Sequence, residues 1–189
     1  VEYFAGVDIS KSRTAIVIID KRGNHVGSFF FGIKTDTKLK KISWNNFLFQ
    51  FYSFSKNILR EYPCFITLED YAYSPRQGGH NWVLREIGGV FKLSTYNLCK
   101  GLLLVSPTSL KKFVTGNGRC EKSEIFRVVL REFDFDAKND DEADAFSLAV
   151  LGRAAWMYKY NKILNHGSKK NIFISEFVDA HADFFSNLS

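Results

Sequence analysis

The segment Asp140-Asp141-Glu142-Ala143-Asp144 puts four carboxylates into five positions, just ahead of the mostly apolar run "SLAVLGRAAWMYKY". Part of this cluster reads as helix initiation. Asn139 is a good N-cap, Glu142 lies three residues on in a capping-box pattern, and acids in the first turn each gain about 0.3–1 kcal/mol from the helix dipole. Asp144 does not fit that explanation, because it falls in the second turn. Asp144, Leu148, Leu151 and Ala155 recur at helical spacing, and Asp141, Ala145 and Leu148 continue the same stripe. Two acids therefore extend the face that the helix is expected to bury. Unpaired carboxylates facing a core carry a large desolvation cost, and neighbours repel until one takes up a proton or a cation intervenes. A divalent cation resolves this, and Mg²⁺ in particular takes a few carboxylates together with waters and phosphate oxygens. Arg or Lys partners would resolve it too. The spacing alone leaves a metal site and a salt-bridged structural cluster equally open.

Two more acids gain weight from this pair. "EYFAGVDIS" is a short, nearly all-apolar run that reaches Asp8, and "CFITLE" is another that ends in Glu69. Both read as buried strands, which places Asp8 and Glu69 at carboxyl ends, where open α/β sheets gather ligands. Asp8 alone could be a turn-forming residue. It could also belong to a phosphate-binding turn of the actin and sugar-kinase superfamily, but that reading needs larger, duplicated domains and several Gly-rich loops. Together Asp8, Glu69, Asp141 and Asp144 would supply four metal ligands.

The elements that must position these acids follow from periodicity and turn signals. "TAIVIID" is β-branched, the "KRGN" turn follows, and "HVGSFFFGI" resumes, so the first 33 residues predict three antiparallel strands. A helix is expected over 38–62, with Phe47, Phe51, Phe54 and Ile58 as its apolar stripe and Pro63 ending it. After "CFITLE", a helix over 74–97 includes Gly88-Gly89, at about 1 kcal/mol per glycine, which suggests close approach of another backbone. "GLLLVS" is a fifth strand, Pro107 opens a short helix through Val114, "TGNGR" is a loop, and helices over 121–133 and 139–160 complete the pattern. The order β-β-β-α-β-α-β-α-α-α predicts an α/β fold: a five-stranded mixed sheet, three antiparallel strands then two parallel, flanked by helices. Residues 1–163 form the expected domain. Residues 164–189 form an extension in which Phe173, Phe177, Phe184 and Phe185 have partly helical spacing and would pack on the domain or on a partner.

Composition bounds the partners. The chain has 189 residues, a formal charge of +6 and a pI near 9.2, which favours a polyanion such as nucleic acid. With 46% hydrophobic residues, 19 Phe and only three Pro, a large core is affordable and extensive disorder is not expected. Cys64, Cys99 and Cys120 are far apart with no Cys-x-x-Cys spacing, so neither a disulfide framework nor a zinc finger is expected. No apolar run approaches the roughly 20 residues of a membrane span, and no signal peptide is visible. The expectation is a cytoplasmic protein with no membrane association. Its Lys-, Asn-, Ile- and Phe-rich composition hints at an AT-rich bacterial or phage genome. His25, His80, His166 and His181 lack paired spacing and read as structural or surface residues.

Four blocks, "GVDIS", "ITLEDYAY", "PTSLKKFVTGNGRCEKSEIFRVVL" and "DDEADAFSLAV", occur in the order and approximate spacing of RuvC-type Holliday-junction resolvases, which the chain resembles over roughly residues 3–151. The third block is the most specific, through Lys111, Gly116, Gly118, Glu121 and Lys122. The resemblance implies a ribonuclease-H-like fold, a homodimer and cleavage of branched DNA by two Mg²⁺ ions per active site, with Mn²⁺ able to substitute and no organic cofactor. It assigns Asp8, Glu69, Asp141 and Asp144 as metal ligands and prefers Asp141 over Asp140. Lys111 and Lys122 match basic residues near the scissile phosphate, and Lys122 would stabilise charge on the phosphoryl oxygens. Hydrolysis would leave 5′-phosphate and 3′-hydroxyl ends. One position departs from the family: an aromatic residue is common three residues after the strand-four Glu, and here that residue is Ala72, between Tyr71 and Tyr73.

DNA contacts are expected mostly at phosphates. Lys11, Arg13, Arg76, Lys112 and Arg119 are candidates alongside Lys111, and Tyr71 and Tyr73 could stack on an unpaired base. The near two-fold symmetry of a four-way junction suits a C2 dimer, with the helix over 78–97 as its candidate interface. Two other readings remain: a related nuclease for flaps, hybrids or ribosomal RNA precursors, and a branched-DNA-binding module that does not cut.

Overall fold

The computed structural model describes residues 1–10, 13–32, 43–70, 81–163 and 167–188. Three strands open the chain, β1 (Tyr3–Ile9), β2 (Arg13–Asp20) and β3 (His25–Gly32), followed by α1 (Trp44–Glu61), β4 (Cys64–Glu69), α2 (Asn81–Thr95) and β5 (Gly101–Val105). Five helices complete it: α3 (Pro107–Thr115), α4 (Lys122–Phe133), α5 (Asp140–Asn161), α6 (Ser168–Ala180) and α7 (Ala182–Ser186). The sheet order is β3-β2-β1-β4-β5. β1, β2 and β3 pair antiparallel, while β4 runs parallel to both β1 and β5. The mixed sheet and its flanking helices are those the sequence predicts. Among the described residues no helix is long and apolar enough to cross a membrane.

Strand alternation divides the core into two layers. Phe4, Ala15, Val17, Ile19, Phe65, Leu103 and Val105 face α5, whereas Ala5, Val7, Ile16, Ile18, Cys64, Ile66 and Leu68 face α1 and α2. By the same alternation Asp8 and Glu69 fall on the α5 face. The β1–β4 register matches Val7 with Leu68, so the next residues, Asp8 and Glu69, end up side by side.

The helix α5 rests almost directly on strand backbone. A Cβ on Gly6 would lie 1.8 Å from the carbonyl oxygen of Ala145 and 2.4 Å from the amide nitrogen of Ala149. A Cβ on Gly152 would lie 1.9 Å from Thr67 Oγ1. Only glycine at both places permits this approach of α5 to β1 and β4. The apolar-stripe expectation for α5 needs correction here. Every residue from Glu142 to Gly152 is buried, so the helix has no solvent face in this half. The sheet covers one side, and α3, α4 and α6 pack around the others.

Local chemistry accounts for the element ends. Asn139 caps α5 by accepting a hydrogen bond from the Glu142 amide at 3.1 Å, while Glu142 Oε2 accepts from the Lys138 amide at 2.6 Å. The reciprocal bond of the expected capping box thus goes one residue earlier than the N-cap. Helix α1 starts at Trp44, not at Lys38, because Ser43 is extended and its hydroxyl accepts from the Asn46 amide; residues 38–42 lie outside the described residues. For the helix expected over 74–97, positions 74–80 likewise lie outside them. It ends at Thr95, where the hydroxyls of Ser94 and Thr95 bond the carbonyls of Phe91 and Lys92 and Asn97 turns left-handed with φ 60°. The reading of Gly88-Gly89 fails at Gly89, which is exposed with nothing within 4 Å of where a Cβ would be.

Helices α6 and α7 join the α5-facing core. Ile174, Phe177, Val178 and Phe185 are buried, and Phe185 stacks on Phe65 with ring centres 6.3 Å apart. Phe173 lies 6.0 Å from Phe113 of α3, and Lys170 pairs with Glu132 of α4.

Candidate active site

Four carboxylates reach one open cavity of about 530 Å³ from three elements, Asp8 from β1, Glu69 from β4, and Asp141 and Asp144 from α5. Ser10, Lys111 and Lys122 complete its polar lining, and Ile9, Leu84, Pro107, Leu110 and Ile125 form its apolar wall. Asp8 is 7% exposed and Asp144 5%. Burial on this scale makes each negative charge unfavourable unless something opposes it.

The protein opposes two of the four charges directly. The Nε and Nη2 groups of Arg13 each lie 2.8 Å from Asp141 Oδ2. Lys122 Nζ lies 3.4 Å from Asp144 Oδ2. Burial pushes the Asp144 carboxyl up while Lys122 pulls it back, leaving it raised. Asp8 and Glu69 are left with weaker help. Burial, then Glu69, Asp144 and Asp141, push the Asp8 carboxyl well above the usual carboxylate range, against a lowering pull from Lys122. Burial and Asp144 push Glu69 up to about 7, with Lys122 and Lys111 opposing. Lys122 itself is lowered by burial but raised more by Asp144, Asp8 and Glu69, so it holds its proton firmly.

Among the described residues, no three His, Cys, Asp or Glu side chains stand close enough together to form a ready ion cage. All four acids nevertheless line the same cavity. The ion pairs reconcile the two observations, because Asp141 and Asp144 are each drawn to their own cation. The donor set suits a hard divalent cation: all oxygen ligands, mutually repelling, beside an open cavity that admits water or phosphate.

The lysines are held by the loop after α3. Gly116 takes the left-handed conformation at φ 80° and caps α3, and the Thr115 hydroxyl bonds the Lys111 carbonyl and the Asn117 backbone. Lys111 Nζ donates to the Cys120 carbonyl at 2.6 Å, which ties α3 to the start of α4 next to Lys122. Lys112 instead extends over the Phe173 ring at 5.6 Å, and Arg119 is exposed; neither lines the cavity. Lys11, Tyr71, Tyr73 and Arg76 lie outside the described residues.

The structure gathers Asp8, Glu69, Asp141, Asp144, Lys111 and Lys122, as the sequence predicts. Arg13, a candidate DNA contact, is bonded to Asp141 at the edge of the cavity. Sequence reasoning missed Ser10, whose hydroxyl accepts from the Arg13 amide and donates to its carbonyl, and Leu84 on the cavity wall. The signal for Ser10 was only its place two residues after Asp8.

A five-stranded mixed sheet with β1, β4 and β5 parallel, and acids at the ends of β1 and β4 opposite a helix, is a ribonuclease-H-like fold. Among solved structures, Thermus thermophilus RuvC is similar with a TM-score of 0.67 at 12% identity, covering 84% of this chain and 96% of that one. T. thermophilus RuvC in complex with a Holliday junction substrate is similar with a TM-score of 0.67 at 10% identity and the same coverage. In sequence, the crossover junction endodeoxyribonuclease RuvC of Synechococcus sp. (strain CC9311) is 38% identical over 48 residues, 24% of this chain. The matched segment spans 30% of that relative's length. No family model matches the chain. The chain therefore resembles RuvC in fold over most of its length and in sequence over about a quarter of it.

Proposed function

We propose that this protein is a divalent-metal-dependent endonuclease that resolves Holliday junctions by paired, symmetric nicks. The carrying observation is the convergence of Asp8, Glu69, Asp141 and Asp144 with Lys111 and Lys122 in one open cavity. The RuvC–junction complex among the similar structures supports branched DNA as the substrate. Two Mg²⁺ ions, or Mn²⁺ in their place, held by the four carboxylates would supply an activated water and neutralise charge on the phosphate and leaving oxygen. The chain's own residues do the rest. Lys122 stays protonated between Asp144 and the cavity and stabilises the phosphoryl oxygens. Lys111 keeps the α3–α4 loop in place while presenting its charge to the same space. The carboxylates stay fixed by α5 and by the adjacent strand ends, so little reorganisation is required. The products are 5′-phosphate and 3′-hydroxyl ends.

A C2 homodimer would bring two such sites to the two sides of a junction. Its candidate interface is α2, on which Trp82 and Leu93 are exposed, with exposed Tyr96 just past its end. Residues 1–163 form the nuclease domain in this reading, and 164–189 an extension that braces α3 and α4. The basic charge supports backbone contacts, with Lys11, Arg13, Arg76, Lys111, Lys112 and Arg119 as phosphate partners and Tyr71 and Tyr73 as stacking partners. The setting would be bacterial or phage-infected cytoplasm.

The test is incubation with end-labelled four-way junctions and linear duplex, with and without Mg²⁺. Symmetric, Mg²⁺-dependent nicks in the junction are expected; no nicking, or equal nicking of duplex, refutes the proposal. A panel of flaps and RNA–DNA hybrids separates junction resolution from a broader nuclease. A second reading is favoured by the ion pairs of Arg13 and Lys122, which neutralise two acids without metal. It is a branched-DNA-binding module that does not cut. Calorimetry showing no binding of Mg²⁺ or Mn²⁺ would decide for it.

A further inference from the structure

We infer that Arg13 is an exchangeable counter-ion that couples the binding of a DNA backbone phosphate to the loading of metal at Asp141. This rests on the reading of the four acids as a metal site.

Arg13 holds Asp141 more tightly than Lys122 holds Asp144. Two of its N–H groups converge on one oxygen, Oδ2, at 2.8 Å each, against a single approach of 3.4 Å for the lysine. An oxygen that already accepts two charged hydrogen bonds has little left to offer a cation. Metal coordination through it requires the guanidinium to withdraw.

The surroundings allow that withdrawal and give it a direction. Arg13 is the first residue of β2, with its backbone fixed by two bonds to the Ser10 hydroxyl. Its guanidinium lies 5.7 Å from the centre of the Phe30 ring. The backbone is thus anchored while the side chain, 42% exposed, lies next to the cavity. A guanidinium fork matches a phosphate as well as a carboxylate. A phosphate arriving at the cavity offers Arg13 a second anion and frees Asp141.

Thermodynamic linkage then applies in both directions. A ligand that draws Arg13 away raises metal affinity, and metal at Asp141 raises affinity for the phosphate by the same factor. Without DNA, the fork competes with metal, so metal occupancy of the site is lower before substrate arrives.

The experiment is calorimetric titration of the full chain with Mn²⁺, alone and saturated with a phosphorothioate four-way junction, which keeps its charge and resists hydrolysis. In the wild type the junction should tighten Mn²⁺ binding on the order of 10-fold. Arg13→Gln should bind Mn²⁺ several-fold more tightly than wild type without DNA, and its gain from the junction should fall below about 2-fold. Arg127→Gln removes the same charge from the exposed side of α4 and should leave DNA-free Mn²⁺ affinity at the wild-type value. Unchanged or weaker Mn²⁺ binding by Arg13→Gln overturns the inference, as does an equal gain in Arg127→Gln. If Arg13→Gln does not fold, Arg13→Lys, which keeps the charge but not the fork, serves instead. It should also bind DNA-free Mn²⁺ more tightly than wild type, and failure to do so overturns the inference. Absence of Mn²⁺ binding in every variant, with or without the junction, refutes the metal site itself; Mn²⁺ binding indifferent to Arg13 refutes the coupling alone.

Discussion

Asp8 and Glu69 come to the cavity from strand ends, Asp141 and Asp144 from the first two turns of a helix, and the protein neutralises the two pairs differently. Each helix acid has a cation in contact, and Asp141, in the first turn, also has the favourable helix dipole behind it. Neither strand acid has an ion pair at contact distance among the described residues, and each strand acid is strongly raised. The helix pair is therefore better compensated by the protein, with Asp144 still raised, whereas the strand pair has no contact cation among the described residues to offset its burial. On the proposed reading of the site, the drive to bind metal would come mainly from the strands, and control over when it binds would come from the helix.

That contrast can be broken experimentally. The largest effect is expected for Asp8→Asn, which should lower Mg²⁺-dependent junction cleavage on the order of 1000-fold, as read on a gel. The same variant should raise the melting temperature of metal-free protein at pH 8, because a buried repelling charge is gone, while Asp141→Asn should lower it by stranding Arg13. Shifts of the same sign would erase the distinction between the pairs.

Next is pH. With Glu69 raised from the usual 4.5 to about 7, the folded state binds a proton more tightly than the unfolded chain. Below about pH 4.5 both states are protonated and the group costs nothing. As pH rises from there to 7 the folded state loses stability relative to the unfolded one, up to about 3 kcal/mol above pH 7. Urea melts of metal-free wild type and Glu69→Gln across pH 5 to 8 should show this slope in the first and a flatter one in the second. Added Mg²⁺ should restore stability at pH 8 and do little at pH 5.

Gly6→Ala sharpens the comparison geometrically, since it forces the helix acids away from the strand acids. Overpacking against backbone should destabilise by about 1–3 kcal/mol and weaken Mn²⁺ binding in the fraction that folds, measured by melting and calorimetry. The smallest effect belongs to Asn139→Ala, which removes the α5 cap at about 1 kcal/mol. It should affect stability while leaving the strand acids as they are.

Much of this was legible in the sequence because it is local. Short, nearly all-apolar runs reaching Asp8 and Glu69 gave both the strands and the carboxyl ends at which they present acids. Asn139, followed by acids and an apolar run, gave the start of α5. What was not legible comes from partners distant in sequence. The ion pair of Arg13 with Asp141 had no local signal, because the two lie 128 residues apart. The need for glycine at position 6 had no local signal either, because nothing near it in sequence announces Ala145 and Ala149 above it. Gly88-Gly89 drew attention as a pair, yet Gly89 faces open space. The helical stripe that singled out Asp141 and Asp144 reached two residues that line the cavity by an argument the burial of α5 does not support, since that segment is covered on every side. The acids stand out instead for where α5 begins, directly over the carboxyl ends of β1 and β4.

The glycine contacts under α5 have a mechanical consequence. A rod resting on one point can rock, but a rod seated on two separated points has its tilt defined as well as its height. Ala145 and Ala149 bear on β1 at Gly6, and Gly152 bears on β4 at Thr67, so α5 is located much as an optical element is by a kinematic mount. Thermal agitation of α5 then carries Asp141 and Asp144 together with the strands beneath them, and the spacing of the four carboxylates is held by hard contact.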